Sequence, residues 1–162
     1  MENLSLKFSG AILLSLLGAF VLTLAPVNGV FGLWRPEWLV LVIIHWAIYF
    51  PDRISYVLVG FLGLMLDAAW QLSLGQHSLS FVVLLYVVIR LSERLSPNSL
   101  LQHLFMVLVA TSVYMLTNLW VLTATDNNPA NWGYWYPVFT SLLIWPFVTG
   151  LLKRMHMENQ GR

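Results

Sequence analysis

The chain has 162 residues, 59% of them hydrophobic and 9% charged, with a formal net charge of +1. Water-soluble domains average ~45–50% apolar and ~25% charged, so this composition, with a mean hydropathy of +0.75, indicates a single integral membrane domain. No basic cluster suits nucleic acid, and the absence of cysteine excludes disulfides, thiolate chemistry and cysteine-based metal sites.

The first apolar run covers residues 8–27. It is longer than the ~7–15-residue core of a signal peptide and reads as an uncleaved transmembrane helix. Ala11, Ser15 and Ala19 recur at i, i+4 and i+8 on it. Such a small-residue stripe is a helix-packing face, directed either into the bundle or toward another protein's helix.

A second segment covers residues 36–50, with Arg35 at one end and His45 near its middle. Pro51-Asp52-Arg53 turns the chain into the third segment, residues 54–71. These two short segments either cross the bilayer or form a re-entrant hairpin. Asp67 is the acidic residue inside a long apolar stretch, and a carboxyl in a bilayer core costs roughly 2.5–3.5 kcal/mol. Gly60, Gly63, Asp67 and Gln71 follow at helical spacing on one face, small at one end and polar at the other.

The fourth segment covers residues 79–91, with His77 just before it, and the fifth residues 104–124, with Thr117 and Asn118 near its end. The loop over residues 125–133 carries Asp126 and no basic residue. In the sixth segment, residues 135–152, Pro146 removes a backbone donor and predicts a kink.

The predicted fold class is therefore all-α: a polytopic bundle of six transmembrane helices. Charge orients it. With both termini cytoplasmic, Lys7, Arg53, Arg90, Arg94, Lys153, Arg154 and Arg162 lie inside, and Arg35 outside. Trp34, Trp38, Trp70, Trp120, Trp132 and Trp135 then gather at the outer interface, where indole rings settle. Trp46 and Trp145 do not.

At ~1.5 Å of rise per residue, Asp67 and Asn118 fall at similar depth in the outer half, and Arg35 and His77 enter from outer helix ends. A cluster of Asp67, Gln71, Asn118, Arg35 and His77 is either a binding niche or a set of hydrogen bonds fastening helices together. Catalysis is not expected: no histidine or carboxylate stands at metal-ligand spacing, and no phosphate loop or nucleophile elbow occurs. One buried carboxyl cannot form an aspartyl dyad. No cofactor or metal is expected.

Several short motifs occur in a telling order: Arg35-Pro36-Glu37-Trp38; Pro51; Gly60-x-x-Gly63-Leu-x-x-Asp67 followed by Leu74-Gly75; and Trp145-Pro146 before a basic tail. Together they resemble the rod shape-determining MreD family of Gram-negative bacteria. The resemblance implies a multi-pass protein of the bacterial inner membrane, part of the elongation machinery that maintains rod shape. It implies MreC, through its transmembrane helix, as closest partner, in a complex with MreB, RodA, a penicillin-binding transpeptidase and RodZ. It also implies a fold similar to the substrate-binding subunits of energy-coupling-factor transporters. The competing expectation is a small-molecule-binding or transport subunit with a pocket in the outer half around Asp67.

Overall fold

The computed structural model describes residues 2–26, 29–95, 99–125 and 132–160, with side chains between residues 10 and 155 apart from 30 and 31. The side chain of Lys7, residue 27 of the first segment, and Asp126 and Arg162 lie outside the described residues. Among those described, the secondary structure is helical. Helices run α1 Glu2–Leu24, α2 Val30–Leu33, α3 Trp38–Tyr49, α4 Tyr56–Trp70, α5 Gln76–Arg94, α6 Leu100–Ala124 and α7 Tyr136–Gln160, with short 3₁₀ turns at Pro51–Arg53 and Trp132–Trp135.

Several boundaries depart from those expected. α5 starts at Gln76 rather than residue 79, because a side chain from α4 caps its polar first turn. α6 starts at Leu100 rather than 104, because Ser99 and Gln102 form a capping box, each side chain bonded to the other's backbone N–H. α4 stops at Trp70, since Gln71 takes a left-handed φ of 55°. α7 runs through Pro146 to Gln160 without interruption, past residue 152.

α3 is the central element. Residues Leu39 to Ile48 are all buried, with α1 against it on one side and α5, α6 and α7 around it. A helix apolar all round belongs in the middle of its bundle. The exterior is apolar too: Leu14 is 66% exposed, Val57 81%, Leu143 72% and Phe147 77%. Apolar exposure on this scale is abnormal in water and suits a hydrocarbon surrounding.

By length and composition, two stretches are long and apolar enough to cross a membrane, Leu100–Ala124 and Trp132–Met155. Gly10–Leu24, Trp38–Tyr49 and Tyr56–Trp70 are shorter apolar helices. Trp46 and Trp145, the two indoles that did not fit an interfacial belt, are instead buried in the core, whereas Trp34, Trp70, Trp120 and Trp132 are exposed.

Candidate functional site

The Gly60, Gly63 and Asp67 face of α4 is turned toward α5. A Cβ at Gly63 would overlap the backbone N and Cα of Ser78 and come within 2.7 Å of the His77 carbonyl carbon. Absence of a side chain there lets the start of α5 lie directly on α4. That approach carries the first turn of α5 over Asp67.

Asp67 is fully buried. Its Oδ2 accepts the Gly75 amide at 2.8 Å, and its Oδ1 accepts the His77 amide at 3.0 Å and stands 2.7 Å from His77 Nδ1. α5 has no cap of its own, because its N-cap residue is Gly75, at φ 102°. Asp67 therefore caps α5 from the neighbouring helix, satisfying two orphan amides and placing its oxygens at the positive end of the helix dipole. The His77 ring is edge-on to Trp70 (centroids 5.3 Å apart) and close to Tyr114, which stacks on Phe81 at 5.4 Å.

Two members of the expected cluster lie elsewhere. Gln71 was expected on the Asp67 face; it is exposed, because the left-handed turn at this residue ends the helix before that face can continue. Arg35 was expected near Asp67; instead its Nη2 donates to the Leu22 carbonyl. A cation there satisfies an orphan acceptor in the last turn of α1 and meets the negative end of its dipole.

Asn118 is buried, and its partner is Gln76: Gln76 Nε2 donates to Asn118 Oδ1 at 3.4 Å, and Asn118 Nδ2 to the Tyr114 carbonyl at 3.3 Å. Thr117 bonds its own helix at the Val113 carbonyl. Sequence reading missed Gln76 by taking it for loop. The Gly75 turn residue immediately before it was the available signal of a helix start.

Beside this network lies a cavity of about 250 Å³, lined among others by Glu37, Gln76, His77, Tyr114, Asn118 and Tyr134. Ligand pockets usually measure ~300–1,000 Å³, so this one is small. Asp67 does not line it.

The small-residue stripe of α1 faces inward. Ala11 and Ala19 are buried, and Ser15 Oγ accepts Trp46 Nε1 of α3 at 2.8 Å while donating to the Ile12 carbonyl at 2.9 Å. Of the two directions open to that stripe, the fold uses the internal one. The groove on Gly60 and Gly63 is likewise filled, by Ser78 and Val82 of α5. His45 is buried among the rings of Trp46, Tyr49 and Trp145.

The sequence profile of one family, described as rod shape-determining protein MreD, matches residues 5–155. The chain belongs to the MreD family. It is 30% identical over 142 residues to the rod shape-determining protein MreD of Haemophilus influenzae, an alignment covering 86% of each chain. No solved structure matches it. The place in the MreD family carries a role in rod shape determination and association with the membrane. It also gives the motifs a physical content: the Gly60-x-x-Gly63-Leu-x-x-Asp67 pattern builds the α4–α5 junction, and Trp145 of the Trp-Pro pair is a core side chain.

Proposed function

We propose that this MreD-family chain is a non-enzymatic scaffold of the elongation machinery in the bacterial inner membrane. Helices α1 and α3 to α7, the shorter ones completed by their flanking residues, cross the bilayer with both termini cytoplasmic, on a plan similar to the substrate-binding subunits of energy-coupling-factor transporters. The bundle holds the transmembrane helix of MreC and so supports peptidoglycan synthesis outside, within a complex that includes MreB, RodA, a penicillin-binding transpeptidase and RodZ.

The observation that carries this reading is the saturation of Asp67. Three N–H groups of residues 75 and 77 converge on its oxygens, leaving a brace rather than a reactive or substrate-binding carboxyl. The bundle's outward surface is aliphatic and aromatic on α1, α4 and α7, the kind of surface lipid tails and a partner helix both accept. With the small-residue faces of α1 and α4 used internally, the partner helix is expected on such an aliphatic face.

Co-purification and crosslinking from a bacterial membrane test the reading. A single-helix MreC protein should be recovered with the wild-type chain and lost with Gly63→Leu, which separates α4 from α5. Failure of the wild-type chain to recover it would overturn the partner assignment. The alternative, a small-molecule-binding or transport subunit, draws on the 250 Å³ cavity beside His77 and Asn118, whose size favours at most a small occupant.

A further inference from the structure

A second cavity lies at the other end of the bundle. It measures about 410 Å³ and is lined among others by Tyr49 at the end of α3, Ser99 and His103 at the start of α6, and Pro146, Thr149 and Lys153 of α7. Among the described residues, no carboxylate lines it. Connectivity gathers Arg53, Arg90, Arg94 and Arg154 at the same end.

Four features shape the wall. First, it includes the N-terminus of a 25-residue helix. The capping box occupies the Ser99 and Gln102 amides and His103 N–H bonds the Ser99 carbonyl, so among the described residues the Leu100 and Leu101 amides are the orphan donors of this helix start, suited to an outside acceptor.

Second, Thr149 is 9% exposed and its Oγ1 has no hydrogen-bond partner among the described residues. A buried hydroxyl without a partner is costly, and Thr149 is one of the residues of the cavity wall. Third, His103 Nδ1 stands 3.1 Å from the Ser99 carbonyl, which can only accept, so this nitrogen carries the proton. Nε2 then accepts from the Tyr49 hydroxyl at 3.1 Å and holds that ring in place. Fourth, the Lys153 ammonium lies over the Tyr49 ring, 4.9 Å from its centroid, and stands at the cavity rim. Around the cavity, Leu100, Leu101, Phe147 and Leu151 are strongly exposed.

A cradle with an ammonium, a helix N-terminus and an unpartnered hydroxyl suits a phosphate, and the apolar side chains beside it suit acyl tails. We propose that this cavity binds the phosphate headgroup of an anionic phospholipid at the basic end of the bundle. The assignment rests on the membrane-spanning reading given above.

Native mass spectrometry of the detergent-solubilised full chain tests it, with three probes: phosphatidylglycerol, diacylglycerol with the same tails, and inorganic phosphate. Phosphatidylglycerol should be retained and diacylglycerol should not. Lys153→Gln should lower phosphatidylglycerol retention about five-fold, the effect of roughly one cationic contact at a membrane surface, and Thr149→Val should lower it by a few-fold, the effect of roughly one neutral hydrogen bond. Arg154→Gln, which removes a basic neighbour outside the cavity, should leave it unchanged. Unchanged helical circular dichroism separates these effects from misfolding, and Thr149→Val, which keeps the side chain's shape, is the milder of the two variants.

Equal retention of diacylglycerol would show an acyl groove without a phosphate site and overturn the proposal. Equal loss with Arg154→Gln would show diffuse surface charge and do the same. Displacement of the lipid by an equal concentration of inorganic phosphate would reassign the site to a free anion. Alkaline carbonate extraction of vesicles tests separately whether the chain is membrane-embedded, so failure of that reading is distinguishable from failure of the site.

Discussion

Ser78 passes so close over Gly63 that no side chain fits between them, while the neighbouring Gly60 has room. A Cβ at Gly60 would lie 3.4 Å from Ser78 Oγ and 3.5 Å from Val82 Cγ2, ordinary contact distances. Gly60→Ala should therefore be neutral or slightly stabilising, since alanine is the better helix former by up to ~1 kcal/mol. Gly63→Ala should destabilise by about 1–3 kcal/mol, as overpacking does. Denaturant unfolding in detergent, followed by circular dichroism, separates the two.

Asp67→Asn is a harsher change than it looks. An amide offers one acceptor oxygen, and its NH₂ would meet N–H donors of Gly75 or His77. A loss on the order of 1–3 kcal/mol is expected, from buried polar groups left unsatisfied. Asp67→Ala should cost at least as much. Protein levels in the membrane must accordingly be measured beside cell shape. Loss of rod shape at normal levels of the Asn variant would show a role beyond bracing.

Trp46 and Ser15 tie α3 to α1 through one bond of 2.8 Å. Ser15→Ala and Trp46→Phe both remove it. A double-mutant cycle should give a coupling of about 1 kcal/mol, the net worth of a typical internal hydrogen bond. A coupling near zero would mean that the two helices are held by burial alone.

The absence of cysteine permits clean single-cysteine topology mapping. A cysteine at Asp52, in the turn after α3, should react with an impermeant thiol reagent only after the cytoplasmic side is opened. One at Trp132 should react in intact spheroplasts. The reverse pattern would invert the proposed orientation.

Leu72 stands at the edge of the cavity beside His77. Leu72→Trp should crowd that volume without touching the Asp67 bonds. Complementation of a rod-shape defect should survive this change if the protein is a scaffold, and fail if a ligand must enter.

Periodicity and composition made the helices legible, along with the shared face of Gly60, Gly63 and Asp67, because an inward carboxyl and small residues leave local traces. The start of α6, read at residue 104, had a signal that went unused: Ser99-x-x-Gln102 is a capping box in the sequence itself. The start of α5 carries no such box; its cap comes from Asp67, on a different helix. Arg35 illustrates the same limit. Its position just before α3 was plain, yet its acceptor is the end of α1, a contact no spacing along the chain reports. In an apolar chain the direction of the Ala11, Ser15 and Ala19 stripe is also hidden, because lipid and protein ask for similar side chains.

The way Asp67 is satisfied constrains how the protein enters its membrane. All three N–H groups that hold the carboxyl belong to residues 75 and 77, which are synthesised after α4. On the six-span plan proposed above, α4 released alone into lipid would carry an unpaired carboxyl at roughly 2.5–3.5 kcal/mol. With its partners only a short turn away, the stable species to insert is the α4–α5 hairpin. Biogenesis of this bundle should thus proceed at that point by a pair of helices rather than one at a time.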